Sequence, residues 1–151
     1  MLFRSGTWRL DQRAIQEHQA EIETYYADTP FMMQPFVPSI VTEGEFSLTF
    51  FNGEFSHAIL KTPKAHDFRV QEEHGGILQC VHPEPDLQGV GDMVMRALGD
   101  MPLYARADFV RAPQGQGFWL MELELIEPSL YFRLDEQAPH RFAHALHTRF
   151  A

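Results

Sequence analysis

The sequence predicts an α+β fold, a mainly antiparallel sheet with helices packed on one face. Three observations lead there. Two runs rich in Phe, Leu, Thr and Ile, residues 45–51 and 54–61, flank Asn52-Gly53, the strongest short-range hairpin signal. A second pair of apolar runs, 103–111 and 118–124, flanks a turn rich in Pro, Gly and Gln. Segments 87–98 and 135–150 have helical composition and spacing.

The elements follow in order. Residues 11–27 read as a helix, with Asp11 as N-cap and a partial apolar stripe of Ala14, Ile15, His18, Ile22 and Tyr25. Asp28-Thr29-Pro30 ends it, because a residue before proline avoids the helical region. Residues 31–37 are expected to form a short apolar strand, closed by Pro35 and Pro38. After the hairpin, 62–76 is polar and reads as loop, 77–81 as a strand and His82-Pro83-Glu84-Pro85 as a turn. The helix 87–98 is expected to turn Val90, Val94, Ala97 and Leu98 inward, and Gly99 stops it. The second hairpin and the last helix complete the order, with no internal repeat or low-complexity tract.

With 151 residues, 44% of them hydrophobic, the chain can bury the core of one domain. Twelve basic and 21 acidic residues give a formal charge of -9, a surface that repels phosphate backbones, so no nucleic-acid partner is expected. No apolar run approaches the roughly 20 residues that a membrane helix needs. A single cysteine, Cys80, excludes an internal disulfide and a cysteine-rich zinc site, and its apolar neighbours predict an inert core residue. Together these features fit a reducing, cytoplasmic setting.

The acids carry the chemistry. Glu122 and Glu124 alternate with Met121, Leu123 and Leu125, so on a strand both carboxylates share one face. Their repulsion must be offset by water, an arginine or a divalent cation. Asp108 lies on the preceding strand. A five-residue connection, 113–117, pairs Ala112 with Phe118 and Asp108 with Glu122, whereas a six-residue connection pairs Asp108 with Met121 and turns Glu122 away. The register decides whether three carboxylates meet. An oxygen-only donor set favours Mg²⁺ or Mn²⁺ over zinc. Without such a register, the acids are a solvated sheet face.

The only two lysines, Lys61 and Lys64, follow the first hairpin, and Arg69 precedes Gly75-Gly76. Basic groups beside a carboxylate-bound Mg²⁺ are what phosphoryl transfer requires. Taken alone, the segment reads as an ordinary surface loop.

These residues carry a resemblance to the C-terminal part of the ATP-grasp superfamily, and within it to carboxylate–amine ligases of the glutathione synthetase and ribosomal-protein glutamate ligase groups. Met33-Gln34-Pro35-Phe36-Val37, the Asn52-Gly53 hairpin and Ser56-His57-Ala58-Ile59-Leu60-Lys61 resemble the adenine hinge and the hairpin after it. Asp67-Phe68-Arg69 with Gly75-Gly76 resembles the phosphate-side loop, and Asp108 followed by Glu122-Leu123-Glu124 the metal motif. The resemblance implies that Gln34, Phe36 and Val37 meet adenine through backbone groups and that Glu45 meets the ribose. It implies phosphate or acyl-phosphate contacts for Arg69 and Lys61, and Mg²⁺ (or Mn²⁺) ligation by Asp108, Glu122 and Glu124. The implied activity is ATP-dependent ligation of a small carboxylate to an amine or thiol through an acyl phosphate.

Two positions depart from the pattern: Glu124 and Gln71 each stand where Asn is usual. Ser5-Gly6-Thr7-Trp8 resembles the tail of the family's glycine-rich loop, and the two lysines of the first subdomain have no counterpart. Residues 1–151 are therefore expected to be a truncated ATP-grasp domain, inactive alone, with an uncovered apolar face that favours a homo-oligomer. The rival reading is a non-catalytic α+β module that binds a nucleotide or a protein.

Other signals point to structure. His140, His144 and His147 share a helix face but lack the intervening glutamate of a metalloprotease, which leaves a solvated surface. Trp8 and Trp119 read as packing residues, and His57 as a packed or hydrogen-bonded strand residue. Ser129 has no Gly-x-Ser-x-Gly elbow around it.

Overall fold

The computed structural model describes residues 9–151 apart from His66, Gln71, Glu73, His74 and Gln116. Ser5-Gly6-Thr7-Trp8 and Gln71 thus lie outside the described residues. The chain divides into two compact units, one ending at Phe36 and one from Val37 to Ala151. Among the described residues, no helix is long and apolar enough to cross a membrane.

The first unit holds α1 (Gln12–Glu17) and α2 (Gln19–Tyr25). Asp11 caps α1 by accepting from the Ala14 N–H at 2.8 Å. The single helix expected here is broken at His18, whose φ of -111° is not helical. No strand forms over 31–37. Pro30 and Pro35 supply no N–H, and the segment pairs with no strand among the described residues. Phe31, Met32 and Met33 are exposed, and the Arg9 guanidinium lies 3.6 Å from the centre of the Phe36 ring.

The second unit is built on a five-stranded antiparallel sheet in the order β3-β2-β1-β4-β5. The strands are β1 (Glu45–Phe51), β2 (Glu54–Thr62), β3 (Ile77–Val81), β4 (Tyr104–Arg111) and β5 (Phe118–Glu124), and the helices are α3 (Ser39–Thr42), α4 (Pro85–Ala97) and α5 (Ala138–Phe150). Asn52 and Gly53 make the β1–β2 turn with φ of 47° and 82°, as a tight hairpin demands.

Alternation along β1 sorts the sheet into two faces. Leu48 and Phe50, with Ala58, Ala105, Ala107 and Phe109, form the apolar core under α4. That helix buries Leu87, Gly91 and Met95 one turn apart. A Cβ on Gly91 would lie 2.8 Å from the Phe50 ring, so glycine sets how closely α4 approaches. Val90, Val94 and Leu98 pack beside this stripe, whereas Ala97 is exposed, because the buried stripe starts at Leu87 and not at Val90.

The opposite face carries Glu45, Ser47, Thr49 and Phe51. At its Phe51 end it is closed by α5, whose Phe142 packs on Phe51 and Phe132 at centroid distances of 5.2 and 5.6 Å. Asn52 Nδ2 donates to the Ala145 carbonyl, fixing α5 to the first hairpin. Asp135 lies ahead of α5 and accepts from the Gln137 and Ala138 N–H groups, so the helix begins at Ala138 instead of Asp135. The other end of this face stays uncovered by α5, and the polar side chains gather there.

Candidate active site

The β4–β5 hairpin assembles the acids by an unexpected route. At its tip Arg111 pairs with Phe118 across a six-residue connection, 112–117. Continued unchanged, that register would set Asp108 opposite Met121. A bulge between Phe109 and Asp108 leaves Met121 unpaired and brings Glu122 opposite Asp108 and Glu124 opposite Arg106. One oxygen from each of Asp108, Glu122 and Glu124 lies within 4.8 Å of the others.

Two cations share this face. Lys61, on β2, donates to Glu45 at 2.8 Å and reaches over β1 to Asp108 at 2.9 Å. Arg106 Nε and Nη2 donate to the two Asp108 oxygens, each at 3.0 Å, and Nη2 also donates to Glu124. Both cations are buried, with 5% and 7% of the side chain exposed. Four carboxylates (Glu45, Asp108, Glu122 and Glu124) face Lys61 and Arg106, which leaves a formal surplus of two negative charges.

That imbalance shows in the acidities. Burial works to raise the Asp108 pKa, but Lys61 and Arg106 outweigh it and hold the group below the usual carboxylate range. Burial dominates at Glu45, which Lys61 only partly offsets, and its pKa rises. Glu45 and Asp108 shift in opposite directions around one lysine because Asp108 also has Arg106. Burial of Lys61 is outweighed by Asp108 and Glu45, so it stays charged with a raised pKa. Glu122 is raised by burial first and then by Glu124 and Asp108. Its carboxylate makes no ion pair among the described residues. Hard oxygen donors, close spacing and uncompensated negative charge fit a divalent cation such as Mg²⁺.

A segment after β5 folds against the cations. The Arg106 Nη1 donates to the Ser129 carbonyl at 3.5 Å, and His57 Nε2 to the Leu130 carbonyl at 2.9 Å. The Tyr131 ring centre lies 5.7 Å from the Arg106 guanidinium and 6.0 Å from the Lys61 ammonium. The Ser47 and Thr49 hydroxyls, on β1, are both buried and without a hydrogen-bond partner among the described residues.

The other residues expected at a site are placed as follows. Arg69 Nε and Nη2 donate to the two Asp67 oxygens, and the Arg69 and Phe68 N–H groups donate to the same carboxylate. Those bonds hold Asp67 well below the usual carboxylate range. Val37 is buried, and its carbonyl accepts from Ile40 as the chain enters α3; Gln34 is exposed and Phe36 half-buried, both in the first unit. Cys80 is exposed on the edge strand β3 and not in the core, because its side chain falls on the face that α4 does not cover; burial still raises its thiol pKa. Trp119 is 48% exposed on β5 and does not serve as core packing. His140, His144 and His147 are all exposed on α5. Arg106 and Tyr131 escaped the sequence reading. Arg106 stands two residues before Asp108, so strand alternation was the signal that could have found it.

The five-stranded antiparallel sheet with its helices matches, in fold, the C-terminal part of ATP-grasp ligases such as D-alanine–D-alanine ligase. No protein-family model matches the chain. It is 37% identical over 125 residues to the cycloserine biosynthesis protein DcsG of Streptomyces lavendulae, covering 78% of this chain and 42% of that protein. The crystal structure of the D-cycloserine synthetase DcsG matches with a TM-score of 0.66 and 32% identity over 78% of this chain and 42% of that one. D-alanine–D-alanine ligase from Bacillus anthracis, solved with ATP, shares the fold at a TM-score of 0.55 and 17% identity, over 91% of this chain and 45% of that one. The chain is related to the ATP-grasp ligases and spans less than half the length of these relatives.

Proposed function

We propose that this chain is the metal-bearing part of an ATP- and Mg²⁺-dependent ligase that joins a small carboxylate to an amine or thiol through an acyl phosphate. The convergence of Asp108, Glu122 and Glu124 beside two buried cations carries the reading. Turnover in this reading needs a further ATP-grasp subdomain, with the sheet of the second unit as one wall of the cleft.

The three carboxylates would hold Mg²⁺, which when bound draws negative charge from the phosphate oxygens; Mn²⁺ would suit the same donors. Lys61 and Arg106 would neutralise the charge that develops as a substrate carboxylate attacks the γ-phosphorus and ADP departs. The acceptor then attacks the acyl carbon and expels phosphate. Arg69, preorganised by Asp67, is assigned to the phosphate side. Glu45 uses one oxygen for Lys61 and offers the other to a ribose hydroxyl. Gln34, Phe36 and Val37 are assigned to adenine, with the N–H donors from Phe36 or Val37 because Pro35 has none.

The test is calorimetric titration of Mg²⁺ with a non-hydrolysable ATP analogue on the wild type and on Glu122→Ala. Metal-dependent binding that disappears in the variant is expected. Unchanged binding in the variant overturns the metal assignment, and a folded wild type that binds nothing overturns the cleft itself.

A further inference from the structure

We infer that Tyr131 is a positioning residue: its ring roofs Lys61 and Arg106 and fixes both as one platform for an anionic group. Three observations converge on it. The ring lies within cation–π range of both cations at once. Its backbone has φ 50° and ψ 32°, a left-handed conformation that a bulky side chain rarely adopts and that the surroundings must hold in place. Residues on either side of it are tied down: the Ser129 and Leu130 carbonyls accept from Arg106 and His57, and the Tyr131 carbonyl accepts from the Leu134 N–H.

The tie at Leu130 is fixed in turn by the tautomer of His57. Arg141 is held by Asp135 at 2.7 Å and donates through Nε to the Ser56 hydroxyl at 2.8 Å. That hydroxyl lies 2.9 Å from His57 Nδ1 and donates to it, which leaves the His57 proton on Nε2, facing the Leu130 carbonyl. The relay anchors the backbone on which the ring stands.

Asp108 and Glu124 hold Arg106, and Asp108 and Glu45 hold Lys61. The aromatic face adds to both cations a contact that the sheet's carboxylates do not supply. A ligand anion then meets two cations already in register, with less side-chain ordering left to do. This rests on the ligase reading for the identity of the anion, and on the structure alone for the platform.

Nuclear magnetic resonance of the wild type tests the platform directly. The Lys61 ε-methylene and Arg106 δ-methylene protons are expected to be shifted upfield by the ring, and the Arg106 Nε–H to exchange slowly with water. Tyr131→Phe keeps both signatures; Tyr131→Leu loses both. Calorimetry with Mg²⁺ and the non-hydrolysable ATP analogue then reads the consequence: Tyr131→Phe binds as the wild type does, and Tyr131→Leu binds about three- to tenfold more weakly. Absence of the ring shifts in the wild type, or a Tyr131→Leu chain that keeps the slow Nε–H, overturns the proposal. A wild type with the ring shifts but no nucleotide binding overturns the ligase reading and leaves Tyr131 established as the positioning residue.

Discussion

Lys61 and Asp108 form a buried ion pair at 2.9 Å although their strands are not neighbours, since the lysine crosses over β1 to reach the carboxylate. The same ammonium holds Glu45. Lys61→Met strands Glu45 without its cation and leaves Arg106 alone on Asp108. The expected loss of stability is about 3–5 kcal/mol, read from urea unfolding with the slope unchanged. Lys61→Arg, which keeps the charge, is expected to cost less than half as much.

Glu122 behaves oppositely. Its side chain is exposed and unpaired among the described residues, so Glu122→Gln is expected to leave stability within about 0.5 kcal/mol. Mg²⁺-dependent nucleotide binding in the same variant is expected to weaken by at least about tenfold. The contrast with Lys61→Met separates a ligand from a structural charge.

His57 makes the fold sensitive to mild acid. Burial lowers its pKa from the ordinary 6.5, while Leu130 and Asp135 act to raise it and Arg141 to lower it. Below pH 6.5 the unfolded chain takes up a proton that the native chain refuses, so stability is complete above that pH and falls as pH drops toward the native value. Urea midpoints measured between pH 7.5 and 5.5 are expected to decline in the wild type, and to decline less in His57→Gln.

Gly44 stands directly before Glu45 with φ of 116°, and a Cβ there would lie 2.5 Å from the Lys61 carbonyl oxygen. Both conformation and contact exclude a side chain. Gly44→Ala is expected to destabilise the fold by about 1–3 kcal/mol and to shift the Glu45 and Lys61 resonances in a heteronuclear spectrum.

Much of the sheet was legible. The Asn52-Gly53 turn places β1 and β2, and the alternation of Glu122 and Glu124 puts them on one face. What failed did so for tertiary reasons. The run 31–37 has strand-like composition, yet a strand exists only where another chain segment accepts its hydrogen bonds. Cys80 looked buried because its neighbours are apolar, but an edge strand exposes one face. Neither candidate hairpin register was right throughout, since the tip follows the six-residue connection and the acids follow the five-residue pairing. Met121 does not differ in type from the residues around it, so nothing local marks it as the bulge. Arg106 was passed over although its strand parity matched that of Asp108.

The bulge at Met121 has a consequence for how this hairpin can be rebuilt. Whether Glu122 faces Asp108 depends on how many residues separate them, not on how those residues are shared between tip and strand. A residue removed at Met121 and returned beside Gly115 would straighten β5 and leave the two carboxylates opposed. The tip can therefore carry a turn one residue longer, provided β5 gives up the residue that the bulge now holds.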